Sequence, residues 1–253
     1  MEREEYAVLY EHEAGHWWFA GLRALMMDCL RGMGIGRSSL VLDAGCGTGM
    51  LLREMESQLG VRGVGFDGSR HAAEFWPRRG VHAACRASVN EIPFRAGVFD
   101  AAVCVDVLEC DGVGPEQAYR ELCRVVRPGG VIALVVPAYR WLYSDAHHRA
   151  VHAVRRYTRS DLRSLLSGGP VTIKRLTHLF PSFLPAIAAR RFRELLSAAP
   201  PSRPRSEIGP VPPWLNSACL RLLGMERRLL RFVDLPFGSS ILAVVQKQAV
   251  PGR

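Results

Sequence analysis

The stretch Val41-Leu42-Asp43-Ala44-Gly45-Cys46-Gly47-Thr48-Gly49 limits what this chain can fold into more than any other. Leu40-Val41-Leu42 is an apolar run of the kind that forms a buried strand. It stops at a carboxylate and turns through three glycines spaced by two, after which Met50 to Met55 reads as a helix. Strand, glycine-rich turn and helix, in that order, are how an open α/β sheet builds a ligand site at the carboxyl end of its strand. Lacking Cβ atoms, such a turn can bring its backbone close to a ligand.

The spacing is G-x-G-x-G, not the G-x-G-x-x-G of dinucleotide sites, and Asp43 stands where a pyrophosphate would be repelled. A cationic or zwitterionic ligand is favoured instead. S-adenosylmethionine, with a sulfonium, an ammonium and no phosphate, fits. Val64-Gly65-Phe66-Asp67 is a second short apolar strand that also ends in a carboxylate. An acidic side chain roughly 20 residues beyond the turn, at the tip of the second strand, is placed to hydrogen-bond both ribose hydroxyls. A helix N-cap before Gly68-Ser69 is the competing role for Asp67.

Four further segments follow in order: Glu91-Ile92-Pro93-Phe94, Phe99 to Cys104, Asp106-Val107-Leu108-Glu109, and Arg124-Val125-Val126-Arg127-Pro128-Gly129-Gly130. With the two strand tips they make the chain resemble the class I S-adenosylmethionine-dependent methyltransferases, most closely their small-molecule branch, over residues 40–137. The resemblance implies an α/β, Rossmann-like seven-stranded sheet with the last strand antiparallel, helices on both faces and the cofactor across the tips of the first strands. The cofactor-binding residues it implies are Asp43, Gly45, Cys46, Gly47, Gly49, Asp67, Gly68, Ser88, Val89 and Asp106. It also implies that the N-terminal segment folds over the cofactor as a lid, with Trp18 or Phe19 at the methionine tail and Arg23 at its carboxylate. For His16-Trp17-Trp18-Phe19 an aromatic staple fixing the helix to the sheet is the other reading. The chain departs from the family pattern at two positions. Ser88, a weaker neutral acceptor, stands where an acidic residue often binds the adenine amino group. Cys110 stands where His often follows Leu-Glu.

With 253 residues, 48% of them hydrophobic, the chain suffices for one large domain or a domain with an elaborate insertion. No apolar run reaches the length of a membrane span. The acidic start Met1-Glu2-Arg3-Glu4-Glu5 is unlike a signal peptide, and seven scattered cysteines without a C-x-x-C pair suit a reducing compartment. The expected location is the cytoplasm, with the inner face of the membrane as a surface it could touch. Charge is divided unevenly. Residues 1–137 carry 14 Lys/Arg against 18 Asp/Glu, and residues 138–253 carry 19 against 6. A basic second half points to something anionic: phosphate, carboxylate, a membrane surface or RNA.

The pattern predicts one N-terminal helix from Glu4 to about Met33. Strands are expected at 39–43, 62–67, 81–86, 101–105, 131–136, 171–176 and 238–245. Helices are expected at 48–59, 117–126, 161–167, 184–196 and 214–232. Residues 1–37 form the lid in this scheme, 38–180 and 238–248 the methyltransferase core, and 181–237 a helical insertion. Its linker, 198–213, holds six prolines and reads as extended. Both inserted helices mix apolar faces with arginine. A lid, an anionic membrane or prenyl-phosphate contact, and a homodimer interface all remain open for them.

Methyl transfer from a sulfonium is a direct displacement, so alignment is the protein's main task. A hydroxyl acceptor also benefits from a base, worth roughly 10²–10⁴-fold. His147, His148 and His152, just beyond strand five, are the candidates, with Asp145 as orienter. Tyr139, Arg149, Arg155, Arg156 and Tyr157 are the candidate substrate-binding residues, the arginines by forked hydrogen bonds to an anion. No metal site is expected, since no C-x-x-C pair accompanies His148 and His152 and two ligands do not make a site. The expected acceptor is a small molecule, methylated at oxygen and anionic or lipid-linked. An RNA methyltransferase and a catalytically inactive interaction protein are the alternatives; DNA is not expected.

Overall fold

A computed structural model of the chain describes residues 1–145, 150–196 and 209–249. Among them, one sheet is built from β1 (Leu40–Ala44), β2 (Arg62–Asp67), β3 (Ala84–Arg86), β4 (Phe99–Val105), β5 (Val126–Pro137), β6 (Val171–Leu179) and β7 (Ser240–Lys247). Strand order is β3-β2-β1-β4-β5-β7-β6. The first five strands pair in parallel, and β7 runs antiparallel between β5 and β6. This is the Rossmann-like sheet with an antiparallel last strand that the sequence predicts.

Helices cover both faces: α1 (Arg3–His12), α2 (Trp17–Gly32), α3 (Met50–Leu59), α4 (Arg70–Ala73), α5 (Trp76–Arg79), α6 (Pro115–Val125), α7 (Arg159–Ser167), α8 (Leu184–Leu196) and α9 (Pro213–Leu229). Successive strand residues point to opposite faces. Val41 therefore joins the layer of Met26, Leu30, Leu52 and Met55, while Leu42 joins that of Tyr119, Leu122, Leu162 and Leu166. Burial on both sides is why β1, β4 and β5 read as continuous apolar runs. Each fully buried Leu or Met contributes about 1.5–3 kcal/mol. The register Asp43↔Gly65 and Asp43↔Val103 brings the tips of β2, β1 and β4 to one edge of the sheet. There the connections diverge to left and right, which opens a crevice.

The structure corrects three boundaries. The single N-terminal helix is two, broken at Glu13–His16. His16 caps α2 by accepting from Trp18 N–H at 3.3 Å, and Glu13 is turned inward, 7% exposed. Strand β5 starts at Val126, before the Pro-Gly-Gly turn, because Val126 pairs with Phe99 ahead of a register shift. β6 runs on to Leu179, since the whole segment pairs with β7. Thr158 caps α7 in a capping box with Asp161. The proline-rich linker lies mostly outside the described residues.

The inserted helices pack back on the N-terminal pair. A Cβ at Gly21 on α2 would stand 2.3 Å from Leu223 Cδ1 on α9. Asn216 of α9 accepts from Trp17 N–H at 2.8 Å and donates to Gly15 carbonyl at 2.9 Å. Trp17 stacks on Phe183 at 4.3 Å, and Trp18 lies against Phe180 at 4.4 Å.

Candidate active site

Between the strand tips, the N-terminal helices and α8 lies a cleft of about 1020 Å³. The glycine turn forms part of its floor. Gly45 N–H and Cys46 N–H both donate to Phe66 carbonyl, at 2.8 and 2.9 Å, which ties the turn to β2. Gly47 adopts φ +53°, and a Cβ there would meet no protein atom within 4 Å. Glycine at this position therefore keeps space open beside the backbone. Gly47 N–H donates to Asp67 Oδ2 at 3.0 Å, and Ser69 N–H donates to Asp67 Oδ1 at 2.8 Å.

The floor is acidic. Burial, and then the charges of Asp67 and Glu13, push Asp43 up to about 7. Its Oδ2 is buried without a partner among the described residues. Burial also raises Asp67, against the opposing pull of the N–H groups of Ser69 and Gly47. Such a floor gains from a cation and would repel a phosphate. Three carboxylates, an orphaned carboxylate oxygen and open space at a glycine together fit the nucleoside, sulfonium and ammonium of S-adenosylmethionine.

Farther along, Asp106 and Glu109 extend the carboxylate wall from the tip of β4. Asp106 sits at φ +52°. Its side chain is exposed to the cleft, and the partial desolvation there pushes it up to about 6, with Arg156 pulling down. Glu109 is 4% exposed and lines the cleft. Burial, then the neighbouring Asp106, raises it well above the usual carboxylate range. Beyond these groups the wall turns apolar, with Leu142, Val151, Phe183, Ile187 and Val211, and Arg156 and Arg190 also line it.

Among residues expected from sequence, Asp43, Gly45, Cys46, Gly47, Asp67, Gly68, Ser88, Val89, Asp106, Trp18, Phe19, Arg23, His152 and Arg156 all line this cleft. Gly49 does not; its φ of +89° starts α3, and a Cβ there would stand 2.7 Å from Val81. Arg23 borders the cleft, but its guanidinium donates to Glu54 Oε1 and to the carbonyls of Glu13 and Ala14, at 2.9, 2.7 and 3.1 Å. His152 is exposed, with Nε2 2.8 Å from Glu2 Oε1. Three of the expected substrate residues are directed elsewhere. Tyr139 stacks with Trp141 and His178. Arg155 donates to Cys110 carbonyl at 3.0 Å, and Tyr157 donates to Leu108 carbonyl at 2.8 Å. Adjacency in sequence placed these residues in the group; the loop after β5 turns them into the body of the fold. His147, His148 and Arg149 lie outside the described residues.

Sequence reading missed the groups that tie the N-terminal helices to the turn. Thr48 hydroxyl donates to Glu13 Oε1, which also accepts from Arg79 at 2.7 Å. Arg79 stacks over Tyr10, 4.0 Å from its ring centroid. Tyr6 hydroxyl lies 3.4 Å from Asp67 Oδ1. The one signal available was spacing: Tyr6, Tyr10 and Glu13 recur every three to four residues, one face of a helix.

Sheet order, acidic strand tips and open turn define a Rossmann-like fold with a ligand crevice at its strand tips. The family described as a methyltransferase domain matches residues 42–134. Methyltransferase-like protein 27 of Homo sapiens is 34% identical over 115 residues, 44% of this chain and 46% of that protein. 24-Methylenesterol C-methyltransferase 2 of Oryza sativa subsp. japonica is 24% identical over 204 residues, 74% of this chain and 52% of that protein. Further sterol C-methyltransferases and a tRNA methyltransferase of Xenopus tropicalis are among the relatives. The chain thus spans about half the length of the first two. A solved S-adenosylmethionine-dependent methyltransferase of Thermotoga maritima superposes with a TM-score of 0.56 at 18% identity, covering 97% of this chain and 96% of that one. Residues 42–134 thus match a methyltransferase domain, the chain as a whole has the fold of S-adenosylmethionine-dependent methyltransferases, and S-adenosylmethionine is the cofactor that this likeness implies.

Proposed function

We propose that the chain methylates the oxygen of a small acceptor that has an apolar body and an anionic group. The observation that carries this reading is the cleft itself. Its carboxylate floor suits a cationic donor, its far wall is apolar with arginine, and its volume, at the top of the roughly 300–1,000 Å³ range of ligand pockets, suits two ligands side by side.

When bound, the cofactor supplies an electrophilic methyl on its sulfonium. The chain's own residues do the rest. Asp67 holds the ribose hydroxyls, Ser88 and Val89 border the adenine, and Trp18 and Phe19 exclude water from the methionine end. Arg156 takes the anionic group of the acceptor. Asp106 takes the hydroxyl proton: a base near pH 6 is largely ionised at neutrality yet still accepts a proton. Glu109, holding its own proton beside it, keeps a second negative charge away.

Carbon-directed transfer to a lipid is the second reading, favoured by the sterol C-methyltransferases among the relatives. Incubation with methyl-labelled cofactor and fractionated cell extract tests both. Label in a polar or lipid small-molecule fraction is expected, released by ether or ester cleavage for oxygen and retained for carbon. Label confined to RNA would overturn the proposal, as would calorimetry showing no affinity for S-adenosylmethionine.

A further inference from the structure

Helix α9 carries apolar side chains on two opposite faces. One packs inward through Leu223 and, just past the helix, Leu230, both buried. On the other, Trp214, Met225, Leu229 and Phe232 are 73%, 57%, 49% and 84% exposed. At 3.6 residues per turn Trp214, Met225 and Leu229 project within about 60° of one another, and Phe232 follows in the turn just past the helix. Arg221 and Arg228 fall along one edge of the same stripe. The arginines of this segment are sorted accordingly. Arg227 and Arg231 turn back to Asp28, at 3.1 and 3.5 Å, whereas among the described residues Arg221 and Arg228 pair with no carboxylate. The one carboxylate of α9, Glu226, is buried on the opposite side. In α8, Phe192 and Leu196, one turn apart, are 63% and 71% exposed beside Arg193.

We propose that the outer faces of α8 and α9 rest on an anionic lipid surface. The apolar stripes enter the headgroup–acyl boundary, and Arg193, Arg221 and Arg228 meet the lipid phosphates. An indole at one end of the stripe suits that boundary. Charge selects this occupant. A stripe edged by cations and free of carboxylates matches a negative surface, whereas an isologous contact with a second copy would set the same arginines against each other. The surface adjoins the acceptor end of the cleft, which Ile187 of α8 and Val211 ahead of α9 both line.

Co-sedimentation of the full chain with vesicles tests this. Vesicles of phosphatidylcholine plus phosphatidylglycerol should bind at least tenfold better than phosphatidylcholine alone, and salt should weaken the binding. R221Q/R228Q should lower binding to the anionic vesicles by tenfold or more, since each arginine near such a surface contributes about 1 kcal/mol, or roughly fivefold. W214S/F232S should lower it comparably. Both variants should retain affinity for S-adenosylmethionine and an unchanged circular dichroism spectrum. F232S alone, beyond the helix end, serves if the pair misfolds. Equal binding to neutral and anionic vesicles would overturn the proposal, as would binding indifferent to both variant pairs. So would a dimer that W214S/F232S dissolves, or tRNA binding lost in R221Q/R228Q without any vesicle binding.

Discussion

Glu13, at the break between the two N-terminal helices, accepts a hydrogen bond from the hydroxyl of Thr48 inside the glycine turn. The pair is buried, and Arg79 supplies the compensating charge at 2.7 Å. A segment distant in sequence is thereby fastened to the backbone that receives the cofactor. Removing one partner of a buried ion pair costs about 3–5 kcal/mol. Glu13→Ala is therefore expected to lower the melting temperature by several degrees and to speed release of S-adenosylmethionine in stopped-flow measurements. Glu13→Gln, which keeps the hydroxyl contact, should lose less of both. Equal release rates in wild type and both variants would count against the fastening role.

Asp67 should dominate cofactor affinity. Its carboxylate already orders Gly47 and Ser69, and hydrogen bonds to a charged group contribute about 1.5–3 kcal/mol each. Asp67→Ala is expected to weaken S-adenosylmethionine binding by about 100-fold in calorimetry. A change under threefold would place the ribose elsewhere.

The acidic floor gives a signed pH dependence. Asp43 is raised from its ordinary carboxylate range to about 7 in the folded protein. The ligand-free folded chain therefore binds more protons than the unfolded chain between about pH 4 and 7, and stability falls as pH rises through that window. Asp43→Asn should remove this loss and raise the melting temperature at pH 8. A bound cation favours the ionised form, so affinity for S-adenosylmethionine should rise as pH goes from 6 to 8 in wild type and stay flatter in Asp43→Asn. Titrations at three pH values check both trends. Parallel slopes in the two proteins would remove Asp43 from the explanation.

Much of this was legible beforehand, and the limit is physical. β1, β4 and β5 are buried on both faces, so each announces itself as an unbroken apolar run, and the glycine turn and its two terminal carboxylates follow from local sequence. The break at Glu13–His16 was not legible. Its cause is a buried contact to Thr48, and nothing local to Glu13 reports a partner that distant in sequence. Tyr6 beside Asp67 is hidden for the same reason. Tyr139, Arg155 and Tyr157 failed differently. Their residue types were sensible for an anionic acceptor, but a loop's direction is set by what it packs on, here the carbonyls of Cys110 and Leu108 and the ring of His178.

Asp106 and Glu109 invite a kinetic test. With the acceptor class recovered from labelled extract, Asp106→Asn is expected to lower kcat by roughly 10²–10⁴-fold while affinity for the cofactor changes little. Wild-type kcat should rise with pH through about 6 as Asp106 ionises, and the variant should lack that limb. A pH profile unchanged by the substitution would return the proton to the histidine loop.

A double-mutant cycle can gauge the contact at Gly21. Gly21→Val should destabilise by about 1–3 kcal/mol, the usual cost of overpacking, because a Cβ there runs into Leu223. Leu223→Ala should restore part of that loss, and additive effects would mean the two helices do not rely on each other there.

That tight crossing of α2 over α9 bears on the cleft as well. Helix α2 supplies the aromatic side of the cleft through Trp17, Trp18 and Phe19, and Asn216 of α9 pins its first turn at Trp17 and the preceding Gly15. A change that loosens α9 from outside therefore reaches the aromatic wall without touching any residue that lines it.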